Sequence, residues 1–224
     1  MTTYVAAQHG SRDSFCGAPI AETGLAGVRL ENSMSQDRMI KHQIRKLWPA
    51  ELGLYREHML RLDKEARRLR FGRAPSDAFI ETYAAGVNDL KSLVFAYVED
   101  GVVRAAAELR PMGSAPYREA EAAFSVEQGY RDEGIGTELM ARVIQTARNR
   151  AMTRIYLNCL LENKKMRAIA KKFDAVLRIN QDEVFGELAP ATPTCFSIWH
   201  EMIETETGFV AAVLDLQKRL LRAA

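Results

Sequence analysis

Cysteine is scarce in this chain. Cys16, Cys159 and Cys195 are the only three in 224 residues, odd in number and far apart, so they build no disulfide framework. The four histidines are scattered, and no C-x-x-C or H-x-x-x-H spacing occurs, so no metal site is expected. No apolar run approaches the ~18–20 residues that span a bilayer, and no membrane partner is expected. An excess of either charge is missing too: 31 Lys and Arg stand against 29 Asp and Glu. That balance argues against a protein dedicated to nucleic acid, which needs a surplus of cations for phosphate contacts. Met1-Thr2-Thr3-Tyr4 opens without the basic stretch and apolar core of a signal peptide. With so little cysteine, the expected location is a reducing cytoplasm.

What is present is an ordinary globular composition, 47% hydrophobic and 27% charged, at a length that suits one domain with extensions. Residues 1–41, rich in Gly, Ser, Ala and Asn without sustained period, read as a flexible N-terminal extension. A mixed α/β domain is expected over 42–190, and a linker with an amphipathic helix over 191–224. Ile44 to Trp48 reads as a first strand. Leu52, Tyr55, Met59, Leu62, Ala66 and Leu69 recur at steps of three and four, which predicts one helix with a basic outer face. Pro75-Ser76-Asp77 predicts a second helix start, with Phe79, Ile80 and Tyr83 buried. Asp100-Gly101 marks a hairpin between strands Leu93–Glu99 and Val102–Leu109. Further strands are expected at Ala120–Val126, Ile155–Leu161, Ala175–Ile179 and Val184–Leu188. Helices are expected at Gly134–Ala151 and Lys164–Phe173, and a last one from about Gly208 to Arg222. The order implies a single mixed sheet flanked by helices.

The most informative stretch runs from the strand ending at Val126, through Arg131-Asp-Glu-Gly134-Ile135-Gly136-Thr137, into a long helix. Two glycines two apart let successive N–H groups turn toward one point at a helix N-terminus, where unpaired donors and the helix dipole favour an anion. Arg131 adds a forked cation and Thr137 a hydroxyl, so a pyrophosphate is the natural guest. Gly-x-x-x-x-Gly-Lys-Ser/Thr is absent, which excludes a P-loop. Leu139 occupies the third glycine position of Gly-x-Gly-x-x-Gly, which excludes the dinucleotide fingerprint.

Arg131-x-x-Gly134-x-Gly136 resembles the Gln/Arg-x-x-Gly-x-Gly/Ala signature of the GCN5-related N-acetyltransferases (GNAT). Leu161-Glu-Asn163-Lys-Lys-Met166 is similar to that family's strand-to-helix segment with its coenzyme-contacting asparagine. Asp63-Lys-Glu-Ala-Arg67-Arg-Leu69-Arg70-Phe71 resembles a stretch common in the acetyltransferase domains of bacterial protein-lysine acetyltransferases. The resemblance implies a GNAT-like fold and acetyl-CoA as cosubstrate. The pantetheine arm would lie along Val126. The pyrophosphate would be held by Arg131, Gly134, Ile135, Gly136 and Thr137, with support from Asn163. The family's general base is a glutamate on the strand entering the loop. Here that position is Glu121, with Glu119 on the same face as the second candidate.

The tyrosine that many members place seven residues after the asparagine, near the coenzyme A sulfur, is Ala170 here. The implied reaction is acetyl transfer to a primary amine, on a small molecule or a protein lysine. The alternative is a non-catalytic acetyl-CoA sensor, and a homodimer is a further expectation.

Overall fold

The computed structural model describes residues 42–88, 91–116 and 118–223, so the expected extension over 1–41 lies outside the described residues. The elements are β1 (His42–Lys46), α1 (Leu52–Arg61), α2 (Lys64–Phe71), α3 (Asp77–Gly86), β2 (Leu93–Glu99), β3 (Val102–Met112), β4 (Glu119–Val126), α4 (Ile135–Asn149), β5 (Arg154–Leu160), α5 (Lys164–Lys172), β6 (Val176–Asn180), β7 (Glu183–Leu188) and α6 (Cys195–Ala223). A 3₁₀ turn at Pro49–Glu51 leads into α1, and another at Gln128–Tyr130 follows β4. The seven strands order as β1-β2-β3-β4-β5-β7-β6. Among the described strands only β4 and β5 run parallel to each other.

The period of two along the strands splits the core between the two faces of the sheet. Ala107 and Leu109 of β3 and Ala120 and Ala122 of β4 meet Leu139, Met140 and Val143 of α4. On the opposite face Val94, Ala96 and Ala106 meet Tyr55 and Met59 of α1 and Ile80 of α3. The alanines of the central strands let both helix layers approach closely. Phe79, expected on the buried side of α3, is 38% exposed and stacks on Tyr83 instead.

The single helix expected over Leu52–Leu69 is two helices. Leu62 and Asp63 leave the helix, and the Asp63 carboxylate caps α2 by accepting from the Ala66 N–H at 2.6 Å. Arg67 then donates to the carbonyls of Leu60 and Leu62, satisfying backbone acceptors freed at the break, and to that of Pro75 ahead of α3. An apolar period read through the corner because Leu62 and Ala66 stay buried on both sides of it.

The last helix starts thirteen residues earlier than the expected Gly208, at Cys195. Its N-terminus is closed by reciprocal bonds, the Thr194 N–H to Ser197 Oγ and the Ser197 N–H to Thr194 Oγ1, each 3.1 Å. That is a capping box with serine where glutamate is usual. Asp215 of α6 reaches a buried cluster in which Arg45 holds Glu51 through two 2.8 Å bonds and Asp215 at 3.3 Å. Removing the cation would strand two buried carboxylates. Arg45→Met is expected to cost about 3–5 kcal/mol of unfolding free energy, read by urea denaturation. A loss below 1 kcal/mol would show that the cluster does not tie α6 to β1.

No described helix is long and apolar enough to cross a membrane.

Candidate active site

Strands β4 and β5 pair from Glu119/Arg154 to Ala122/Leu157 and then separate. Beyond that point β4 stays paired to β3 through Val126, and β5 to β7 through Leu160. The sheet therefore opens in its middle, exposing the inner edges of two strands whose N–H and C=O groups need partners. An extended amide-bearing chain fits such a gap as a further strand would.

The chain leaves β4 at Val126 and bends through positive φ at Asp132 (71°) and Gly134 (82°) before α4 starts at Ile135. The N–H groups of Thr137 and Glu138 both bond the Gly134 carbonyl, at 2.9 and 3.1 Å. Those of Gly134, Ile135 and Gly136 precede any carbonyl one turn back and face the loop as helix-end donors. A Cβ on Gly136 would sit 3.1 Å from Ile169 Cδ1, so this glycine also sets the approach of α5.

The other expected coenzyme contacts are already engaged. Arg131 donates from Nε to the Val126 carbonyl at 3.4 Å, and its Nη2 lies 3.7 Å from Asp63. It thus bridges the end of β4 to the α1–α2 corner. Asn163 Oδ1 caps α5 by accepting from the Met166 N–H at 3.1 Å. Lys165 pairs with Asp132 at 2.6 Å, bringing an exposed cation to the glycine turn. Val126, Arg131 and the Gly134–Thr137 turn are contiguous, and Ile169 and Lys165 place the start of α5 beside them.

Glu121 lies on the other side of the strand, facing α2. A cavity of about 240 Å³ is walled there by Glu108 and Arg110 of β3, Glu121 and Ala123 of β4, Asn158–Leu160 of β5 and Glu183 of β7. Leu69–Gly72 and Tyr83 close it from above. Ala123 and Asn158–Leu160 lie where β4 and β5 have parted, so the cavity and the gap share their walls. Glu121 forms an ion pair with Arg110, its direct cross-strand neighbour, both side chains about one-third exposed. Glu119 pairs instead with Arg154 at 3.1 Å and does not line the cavity. Cys159 is half-buried, and burial pushes its thiol up, away from the thiolate a nucleophile needs.

Two polar clusters on this face went unread in the sequence. Glu108, 2% exposed, accepts from Tyr55 Oη at 3.2 Å, Arg70 at 3.0 Å, Ser92 Oγ at 2.8 Å and Tyr83 Oη. Burial drives Tyr55 well above its ordinary pKa and Tyr83 to about 12, so both phenols stay protonated as donors. The only sequence signal was a carboxylate at an inward position of an alanine-rich strand.

The second cluster centres on His58 of α1, fully buried, with Nε2 2.9 Å from Ser125 Oγ and Nδ1 3.2 Å from Glu127. Burial lowers the imidazole pKa below its ordinary 6.5, against the opposite pull of Glu127. Arg61 and Arg104 pair with the same Glu127 carboxylate. The folded imidazole thus takes up a proton less readily than the unfolded one, which is protonated below about pH 6.5. Stability is expected to fall as pH drops from there, by at most ~1.4 kcal/mol per pH unit. His58→Gln should flatten that slope between pH 6.5 and 5.5 in denaturant titrations. An unchanged slope would move its origin elsewhere.

Among the described residues no group of three or more His, Cys, Asp or Glu is placed to hold a metal ion.

The sheet thus opens between two parallel strands, with a glycine turn and helix N-terminus beyond the end of β4 and a cavity sharing the walls of the gap. A family model for the acetyltransferase (GNAT) family matches residues 56–174, and the chain belongs to that family. It is an N-acetyltransferase by class. The fold is similar to the GNAT domain of PAT from S. lividans, with a TM-score of 0.57 at 18% identity over 66% of this chain and 90% of that one. It is also similar to yncA of Salmonella typhimurium, solved with its cofactor acetyl-CoA (TM-score 0.51, 15% identity, 69% and 97% covered). Spermidine N-acetyltransferase from Vibrio cholerae, solved with CoA and spermine, matches at 0.54 and 17% identity, with 67% and 96% covered.

Proposed function

We propose that the chain transfers an acetyl group from acetyl-CoA to a primary amine by direct attack, with Glu121 as general base. The observation that carries this reading is the shared wall of cavity and gap. A thioester delivered between β4 and β5 meets an amine held in the cavity at Ala123, two residues from Glu121. The pantetheine amides would pair with the free edge of β4 near Val126. The pyrophosphate would take the N–H groups of Gly134, Ile135 and Gly136, the Thr137 hydroxyl and, once it leaves Val126 and Asp63, Arg131. Asn163 supports the coenzyme indirectly by fixing the start of α5.

An ammonium of pKa near 10.4 is almost wholly protonated at neutral pH, so a carboxylate that accepts its proton, directly or through water, is needed. Ala170 is buried in the core, at 2% exposure, so α5 offers no phenol there for the departing thiolate. That proton comes from water in this reading.

The test is release of the free thiol from acetyl-CoA in the presence of small amines and lysine peptides. Release that depends on the added amine supports the transferase. Binding without release would support the sensor alternative, which is favoured by the alanine at position 170 and by the Arg110–Glu121 pair.

The expected homodimer finds support on the outer face of α6, where Phe196, Trp199, Met202, Phe209, Val213 and Leu220 are each at least 40% exposed. Apolar patches of this kind mark association surfaces. Sedimentation is expected to give twice the 25.2 kDa chain mass, and a monomer at micromolar concentration would remove this part of the reading.

A further inference from the structure

The wall of the cavity holds two arginine–carboxylate pairs that differ in one respect. Arg70 and Glu108 are buried, at 8% and 2% side-chain exposure, and Glu108 is saturated by two phenols and a serine besides the guanidinium. That pair cannot be given up without stranding a buried charge. Arg110 and Glu121 lie one strand pair further along, at 38% and 32% exposure. Among the described residues Glu121 is the side chain Arg110 bonds. A partly exposed pair of this kind is held weakly and can exchange partners. Glu121, the carboxylate required as base, is thus occupied by a cation in the free protein.

The remaining lining narrows what can displace that cation. Glu108, Glu121 and Glu183 face Arg70 and Arg110, a nearly balanced set that offers little to a polycation. An acceptor carrying both an ammonium and a carboxylate conserves every charge contact. Its carboxylate takes the Arg110 fork, a planar bidentate match, and its ammonium takes the place Arg110 leaves at Glu121. The volume, about 240 Å³, lies below the usual range for drug-sized ligands and suits a compact molecule.

We propose that the acceptor is a small amino acid-like molecule bearing a carboxylate close to its amine, and that Arg110 binds this carboxylate and in doing so releases Glu121 to act as base. The inference rests on the transferase reading and on Glu121 as its base. With Arg110 drawn off, Glu121 takes one proton from the ammonium. The freed lone pair on nitrogen forms the N–C bond to the thioester carbonyl, and the C–S bond breaks with its electron pair going to sulfur. The second nitrogen proton passes through water to the thiolate. The products are the N-acetyl amino acid, coenzyme A as its thiol, and one proton carried away by Glu121.

The experiment compares thiol release for the common amino acids, each against its amide and its decarboxylated amine, in the wild type, Arg110→Gln and Arg110→Lys. The wild type is expected to favour the carboxylate-bearing member of its best pair by at least tenfold in kcat/KM. Arg110→Gln should erase that preference, mainly by raising KM for the amino acid. Arg110→Lys keeps the charge without the fork and should restore part of the preference. A preference for the decarboxylated amine, or a carboxylate preference that survives Arg110→Gln, would overturn the inference. So would a complete lack of release with every amino acid while calorimetry shows acetyl-CoA bound, an outcome that leaves the coenzyme site standing. Absence of acetyl-CoA binding would instead bring down the transferase reading together with the inference built on it.

Discussion

Gly134→Pro is expected to abolish acetyl-CoA binding at concentrations that saturate the wild type. The backbone there has φ of 82°, and proline is locked near −65°, so the turn into α4 cannot keep its course. Proline also deletes one of the three N–H groups that face the loop. Gly134→Ala separates conformation from the donor, because it keeps the N–H. No atom lies within 4 Å of where the new Cβ would sit, so a clash is excluded and only backbone strain remains. A left-handed alanine costs roughly 1–2 kcal/mol, which is about a tenfold loss of affinity if the turn relaxes to avoid it. Isothermal calorimetry with both variants gives the series. Wild-type affinity in the proline variant would show that the turn shapes the fold but holds no pyrophosphate. Thermal melts of both variants guard against reading misfolding as lost binding, since the strain falls on a surface turn rather than in either core.

Strand β4, the glycine turn and helix α4 were legible in the sequence because each is specified locally, whereas the parting of β4 from β5 arises from a pairing between strands more than thirty residues apart. A strand of alternating small residues, two glycines two apart and a long apolar helix period occupy one contiguous stretch from Glu119 to Ala147. The Asp100-Gly101 hairpin was legible for the same reason, and both residues do take positive φ. What escaped depends on residues far apart in the chain. Glu108 acquires its meaning from Tyr55, Arg70, Tyr83 and Ser92, which reach it from four other segments. His58 joins Ser125 and Glu127 across more than sixty positions of sequence. No periodicity encodes such meetings.

The helix errors have a different cause. The corner at Leu62–Asp63 keeps apolar spacing through a break, so hydrophobic period alone cannot find it. The early start of α6 was hidden because its first turns bury Ser197 and leave Phe196 and Trp199 outside, inverting the usual pattern. Polar anchors explain the inversion: Asn149 donates to the Ser197 carbonyl, and Arg150 pairs with Glu201 at 2.8 Å. The inner face of the first turns of α6 is held largely by hydrogen bonds and ion pairs, and apolar packing enters further along, at Phe209 against Trp48 and at the buried Ala211 and Ala212.

Glu121→Gln is expected to lower kcat by about 10²–10³-fold at pH 7, within the range that general-base catalysis contributes. The substitution preserves shape and a hydrogen-bonding side chain but removes the ability to take a proton. Coenzyme affinity should stay within about twofold, because Glu121 faces α2 while the glycine turn lies beyond the end of the strand. The pH profile is the sharper readout. Without a base, only acceptor molecules already deprotonated in solution react, so the variant's rate should climb tenfold per pH unit toward the pKa of the acceptor amine. The wild type should depend on pH less steeply over the same range. Glu119→Gln is the matched control, since Glu119 shares the strand face but is paired to Arg154 outside the cavity. It should keep wild-type kcat. Equal losses in the two variants would mean that the strand tolerates neither change, whereas a loss confined to Glu119→Gln would move the base two residues toward the strand's start. A Glu121→Gln enzyme with unaltered kcat and pH profile would leave proton removal to solvent, and the cavity's carboxylates would then serve only to bind the acceptor.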